Sequence, residues 1–243
     1  HDHLDYHKSY KDYLNSKLHL FKKLLNRNSN IITDLNIPEY KKIKSIASEK
    51  NLNLHTISDK YGDLSIISHK YNGEKQLVKI KYKKKIYNFE LNLIGKIQLK
   101  NVLISMIASH LSNINFENIV NFIHKLKPVY GRLEKVGSIK NNSFVILDYA
   151  HTPDALKTCL QNIKDQFKNK SISIVFGCGG DRDKFKRPSM GKIANEYCDR
   201  IYLTDDNPRN EHPKKIRISI SKKINKSKLY DISNRGKAID QAI

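Results

Sequence analysis

Apolar residues fall into two regimes along this chain. Between residues 8 and 26 they recur at helical spacing through Tyr10, Tyr13, Leu14, Leu18, Phe21 and Leu25, which predicts an opening helix. Residues 30–93 carry shorter β-like runs separated by turns such as Tyr61-Gly62-Asp63 and Asn72-Gly73, a mixed signal. Within that stretch Val78-Lys79-Ile80-Lys81-Tyr82-Lys83 alternates as a strand with one wet face does. Residues 101–111 and 116–126 predict two more helices, the second with its apolar face at Ile119, Phe122, Ile123 and Leu126.

Pro128 ends that run, because proline donates no backbone hydrogen bond and its ring collides with the preceding turn. A regular alternation follows, with strands predicted at residues 143–147, 172–176, 201–204 and 229–232 and helices between them. Thr152-Pro153-Asp154 supplies an N-cap, a proline at the first helical position and an acid in the first turn. The pattern predicts an α/β domain with a parallel, doubly wound sheet, and a boundary near residues 127–132. The last helix, from about Ser233, stops at Ile243 without a capping signal, so the sequence reads as a piece of something longer.

Ligands of open parallel sheets bind beyond the carboxyl ends of the strands. Here the loops leaving those ends are Asp148-Tyr149-Ala150-His151, residues 177–187 with Gly177-Cys178-Gly179-Gly180, and Asp205-Asp206-Asn207-Pro208-Arg209. Any one of them reads equally as a surface turn. Three on one edge point to a site, and the glycines are expected to bring backbone N–H groups toward an anion. No Gly-x-x-x-x-Gly-Lys-Ser/Thr occurs, so a loop of that kind for a triphosphate is absent from this sequence.

Composition narrows the partners. The 243 residues are 39% hydrophobic, enough for a packed core, and no apolar run approaches the roughly 20 residues that cross a bilayer. No signal-peptide layout opens the sequence, so a cytoplasmic protein without a membrane partner is expected. Cys159, Cys178 and Cys198 are odd in number and widely spaced, which suits reduced structural thiols. A reactive Cys178 is the alternative. The net charge of +21 raises nucleic acid, but the lysines are scattered and no aromatic-interleaved basic stripe occurs. Small phosphorylated, acidic substrates use such a charge better than nucleic acid does. His3 and His7, with Asp2, Asp5 and the later Lys17, read either as a solvated polar start or as half of a metal site.

The motifs Asp2-His3-Leu4-Asp5-Tyr6-His7, Lys17, Gly131-Arg132-Leu133-Glu134, Asp148-Tyr149-Ala150-His151-Thr152-Pro153-Asp154, residues 177–188 and Asp206-Asn207-Pro208-Arg209 resemble, in order, those of the Mur ligases. The resemblance implies the second half of a central ATP-binding domain over residues 1–129, followed by a truncated Rossmann-like parallel-sheet domain over residues 130–243. It also implies that the UDP-binding domain, the P-loop and a closing Gly-Lys-Gly-His-Glu segment lie outside this sequence. The piece alone is therefore expected to be inactive.

In such enzymes ATP phosphorylates a carboxylate of a UDP-N-acetylmuramoyl precursor, and an incoming amine attacks the acyl phosphate to give an amide. The implied cofactor is Mg²⁺, with ATP as co-substrate. His3 matches a metal ligand, and Lys17 matches a lysine that is carbamylated to serve the metal and catalysis. Asn101 matches an adenine-side asparagine, although Gln98 stands where the family has another asparagine. Arg132 matches a phosphate contact, Asp148 a ribose contact, and His151 a catalytic group near the γ-phosphate. Asp206, Asn207, Pro208 and Arg209, with Arg182, match the branch that takes meso-diaminopimelate rather than L-lysine, on a UDP-N-acetylmuramoyl-dipeptide. Alternatives are another Mur or folylpolyglutamate-type ligase, and a non-catalytic remnant or basic binding module.

Overall fold

The computed structural model describes residues 7–139 and 143–243. The chain divides into two compact units, one of Lys11–Val129 and the other of Tyr130–Ile243 together with residues 7–10.

The opening helix α1 (Tyr10–His19) runs into a π-helical turn, Leu20–Leu24, and buries Leu14 and Leu18. Strands β1 (Asn30–Asp34), β2 (Asn53–Ser58), β3 (Leu64–Asn72), β4 (Lys75–Tyr82) and β5 (Lys85–Leu91) form one sheet in that order. The first two junctions are parallel and the last two antiparallel. In β4, Val78, Ile80 and Tyr82 turn inward while Lys81 faces out, as the alternation predicts. The mixed stretch also hides a helix, α2 (Tyr40–Glu49), whose Ile43, Ile46 and Ala47 pack on Leu14, Leu18 and Ile31. Three apolar positions at i, i+3 and i+4 suffice for one buried stripe, but they are diluted there by lysines.

Buried Gln76 donates to the carbonyls of Leu93 (2.6 Å) and Gly95 (3.1 Å), fixing the turn into α3 (Lys96–Leu111). The predicted helix over residues 116–126 is shorter: α4 (Phe116–Phe122), capped by Asn115, tightens into a 3₁₀ turn at Ile123–Lys125. Leu99, Leu103 and Ile107 of α3 close the core against Ile57, Leu64, Ile80 and Leu91.

The second unit runs β6 (Glu134–Ile139), β7 (Ser143–Leu147), α5 (Pro153–Gln166), β8 (Ser173–Phe176), α6 (Lys186–Tyr197), β9 (Arg200–Leu203), α7 (Pro213–Ser221), β10 (Leu229–Asp231) and α8 (Arg235–Ala242). Strands β8, β9 and β10 form a parallel sheet in the order β10-β9-β8. The sequence places 143–147 in that sheet, and the structure corrects this: β7 pairs antiparallel with β6, Glu134 opposite Leu147. Only three residues link the two strands, so closing that hairpin costs little entropy compared with a crossover. Thr152 caps α5 as expected, its hydroxyl oxygen accepting the Ala155 amide at 3.3 Å. Leu156, Leu160, Met190, Ile201, Leu203 and Ile216 are among the residues of this unit's core.

Candidate functional site

The loops leaving β8 and β9 lie against each other. A Cβ on Gly177 would stand 2.3 Å from the Thr204 carbonyl oxygen, and one on Gly180 only 1.8 Å from that of Pro208. Glycine is required there by the neighbouring backbone. The Gly180 amide donates to the Asn207 carbonyl at 2.8 Å, and Arg209 Nη1 donates to the Gly180 carbonyl at 2.7 Å. For Gly180 this differs from the expected anion contact, since its N–H serves the facing loop.

Farther along the same loops, Asn210 donates to Asp181 Oδ2 from its backbone (3.1 Å) and its side chain (2.9 Å). Glu211 accepts the Asp181 amide at 2.7 Å and meets Arg187 through two bonds, Nη1–Oε2 at 3.0 Å and Nη2–Oε1 at 2.8 Å. Arg187 is 3% exposed and also donates to the Gly179 carbonyl at 3.2 Å. The Arg187 guanidinium, helped by the Asp181 amide, holds the Glu211 carboxyl down at about 2. The start of the β9 loop is tied separately, because Arg217 of α7 bonds both Asp205 and Asp231. Arg235 reaches the Asp205 carbonyl at 3.2 Å and the exposed Asp206 carboxylate at 3.7 Å.

The loop leaving β7 is organised by Asp148, whose two oxygens accept the amides of Leu133 and Ala150, each at 2.9 Å. That carboxylate folds the Gly131–Leu133 turn back on the strand end, and the Arg132 guanidinium lies 5.3 Å from the Tyr149 ring centroid. His151 Nδ1 donates to the Tyr149 carbonyl at 3.2 Å, which puts a proton on that nitrogen because a carbonyl can only accept. Lys186 donates to the His151 carbonyl at 2.8 Å and so ties this loop to the start of α6.

Of the residues singled out in the sequence, the structure brings Arg132, Asp148 and His151 into one loop system. It places Asp206, Asn207, Pro208 and Arg209 against the glycine loop, on which Arg182 is exposed. Asn101 and Lys17 belong to the other unit. Asn101 donates to Gln98 at 3.4 Å, and both line a cavity of about 510 Å³ between α3 and α4. Lys17 is exposed, its ammonium 5.0 Å from the Tyr13 ring centroid. His3 lies outside the described residues, among which no group of three His, Cys, Asp or Glu could hold a metal. A plain ammonium at Lys17 repels a cation, so as an unmodified amine this lysine does not fit the part of a metal ligand.

Cys178 is buried, with its sulfur 3.7 Å from that of Met190. Burial pushes its thiol up to about 11, which leaves it neutral and structural. Sequence reasoning missed Lys186, Arg187 and Glu211 as organisers of the loops. The first two are visible in Lys-Arg-Pro, where they read as generic cations, and Glu211 lies two residues past the quoted Asp-Asn-Pro-Arg.

Two family descriptions match this chain: the Mur ligase middle domain over residues 1–109, and the Mur ligase, glutamate ligase domain over residues 131–243. A curated protein of Rickettsia montanensis named UDP-N-acetylmuramoyl-L-alanyl-D-glutamate–2,6-diaminopimelate ligase is 38% identical over all of the chain and 50% of its own length. A solved structure of a ligase with that name covers 99% of the chain and 49% of its own, at TM-score 0.63 and 28% identity. The MurF ligase of Thermotoga maritima, solved in complex with ADP, shares the fold at TM-score 0.66 and 15% identity, covering 99% of the chain and 58% of its own. The chain thus spans about half the length of the curated relatives it matches.

Proposed function

The chain belongs to the Mur ligase family, and on that premise we propose that it is part of an ATP-dependent ligase joining meso-diaminopimelate to UDP-N-acetylmuramoyl-L-alanyl-D-glutamate. The observation that carries the choice of amino acid is the loop Asp206-Asn207-Pro208-Arg209 seated on the glycine loop, with Arg209 anchored to the Gly180 carbonyl and Arg182 exposed nearby in sequence. Diaminopimelate ends in a second ammonium and carboxylate. A guanidinium has five N–H donors, so a bond to Gly180 orients Arg209 while leaving a fork for that carboxylate. Asp206 supplies the opposite charge for the ammonium. L-lysine lacks the far carboxylate and gains nothing from the arginine.

In the reaction the precursor's carboxylate oxygen attacks the γ-phosphorus, ADP leaves, the amine attacks the acyl carbon, and phosphate departs as the amide forms. Both early reactants are anions, so their approach needs fixed positive charge. Arg132, beside Tyr149, is the proposed phosphate contact. Asp148 holds the turn carrying Arg132 and is the proposed ribose contact, and His151 is the proposed group near the γ-phosphate. Asn101, beside Gln98, is the proposed adenine contact. Lys17 as its carbamate and His3 would hold Mg²⁺, which when bound offsets the charge between phosphate and carboxylate. ATP and a UDP-linked precursor place the reaction in the cytoplasm.

The loop assignment is tested by Arg209→Ala in the complete gene product. Losing a bidentate, charge-assisted contact should cut kcat/KM for diaminopimelate about 100-fold and erase its advantage over L-lysine. An unchanged preference would remove Arg209 from that role.

A further inference from the structure

We infer that Arg187 and Glu211 form a positioning pair that fixes the spacing of the two loops proposed to hold the incoming amino acid. The inference rests on that reading of the loops. Glu211 belongs to the chain that follows β9, and Arg187 to the start of α6, at the far end of the loop that follows β8. Their two bonds therefore join the far ends of both loops. The same carboxylate takes the Asp181 amide, and Asp181 in turn holds Asn210 through two bonds.

Two non-glycine residues of this assembly, Asp181 (φ 49°) and Arg209 (φ 48°), lie in the left-handed region. Such conformations persist where the surroundings over-determine them. Here Asp181 is held by Glu211 directly, while Arg209 is held by the Gly180 carbonyl, next to the Gly179 carbonyl that Arg187 bonds; Arg182 is one residue from Asp181 and Arg209 two from Glu211 in sequence.

Stability alone is a poor account of the pair. A buried ion pair is often no better than apolar residues of similar volume, so its value lies in the geometry it enforces. Arg187 is 3% exposed and is not available to a ligand, which leaves it to act through the loops it joins. Its neighbour Lys186 reaches the other way, to the His151 carbonyl. Two consecutive residues of α6 thus register all three loops.

The test measures phosphate release by the complete gene product as diaminopimelate and ATP are varied in turn, together with amide hydrogen exchange over residues 179–183 and 207–211. Glu211→Gln should raise KM for diaminopimelate about tenfold while kcat at saturation and KM for ATP stay within about twofold. Exchange should quicken in both loops together. Arg187→Lys keeps the charge but loses the fork, and should fall between Glu211→Gln and the parent in both measurements; it also serves if Glu211→Gln does not fold. An unchanged KM for diaminopimelate, or equal rises in KM for both substrates, overturns the inference. A parent that uses no diaminopimelate overturns the reading of the function instead. Exchange then decides the pair: both loops loosening supports it, and unchanged exchange refutes it.

Discussion

Glu211 ordinarily titrates near 4.5, and in the folded chain Arg187 and the Asp181 amide hold it at about 2. A depressed carboxyl stabilises the folded state fully above its unfolded value, and that contribution fades as pH falls from 4.5 through 2. In urea unfolding, parent and Glu211→Gln should therefore differ by a constant amount above about pH 5.5, with the gap narrowing steadily on acidification below about pH 4.5. A gap that stays constant down to about pH 3 would contradict the ion pair. At this scale the sequence is informative about chemistry and silent about partners. Arg209 stands out in Asp-Asn-Pro-Arg, yet its bond to the Gly180 carbonyl depends on two loops meeting. Glu211 has no sequence signal, because its partner lies 24 residues upstream.

The elements show where local pattern ends and tertiary packing begins. Period-2 alternation identifies β4, and the Thr-Pro-Asp start identifies α5, because each feature is local. β7 is equally visible as a strand, but alternation gives a strand's faces and not its neighbour, so its pairing with β6 is not legible. The glycine loop shows the same limit. Its residues suggest an anion cradle, whereas the structure uses Gly177 and Gly180 for close approach of the β9 loop. Gly180→Ala would push a methyl to 1.8 Å from the Pro208 carbonyl oxygen, and backbone cannot swing aside as a side chain does. Urea unfolding should show a loss of about 1–3 kcal/mol, as overpacking does. Gly137→Ala, whose added methyl meets nothing within 4 Å, should change stability by about 0.5 kcal/mol or less. Equal effects at both positions would contradict the packed-loop account.

For the whole molecule, the two units carry different parts of the proposed chemistry: Lys17 and Asn101 in one, and Arg132, Asp148, His151 and the paired arginine-bearing loops in the other. The net charge of +21 suits substrates that bear phosphates and carboxylates. Among the described residues no helix is long and apolar enough to cross a membrane. Family and fold were legible because motifs in a fixed order survive sequence drift. The proposed metal site is legible only as a pattern of residue types, since His3 lies outside the described residues and the role proposed for Lys17 depends on a carbamylation that sequence does not record. The most direct measurement is phosphate release by the complete gene product, given ATP, Mg²⁺ and UDP-N-acetylmuramoyl-L-alanyl-D-glutamate, with meso-diaminopimelate or L-lysine as the amine. The account predicts release that depends on diaminopimelate and is not supported by lysine. Equal release with lysine, or none with either from a folded protein, would contradict it.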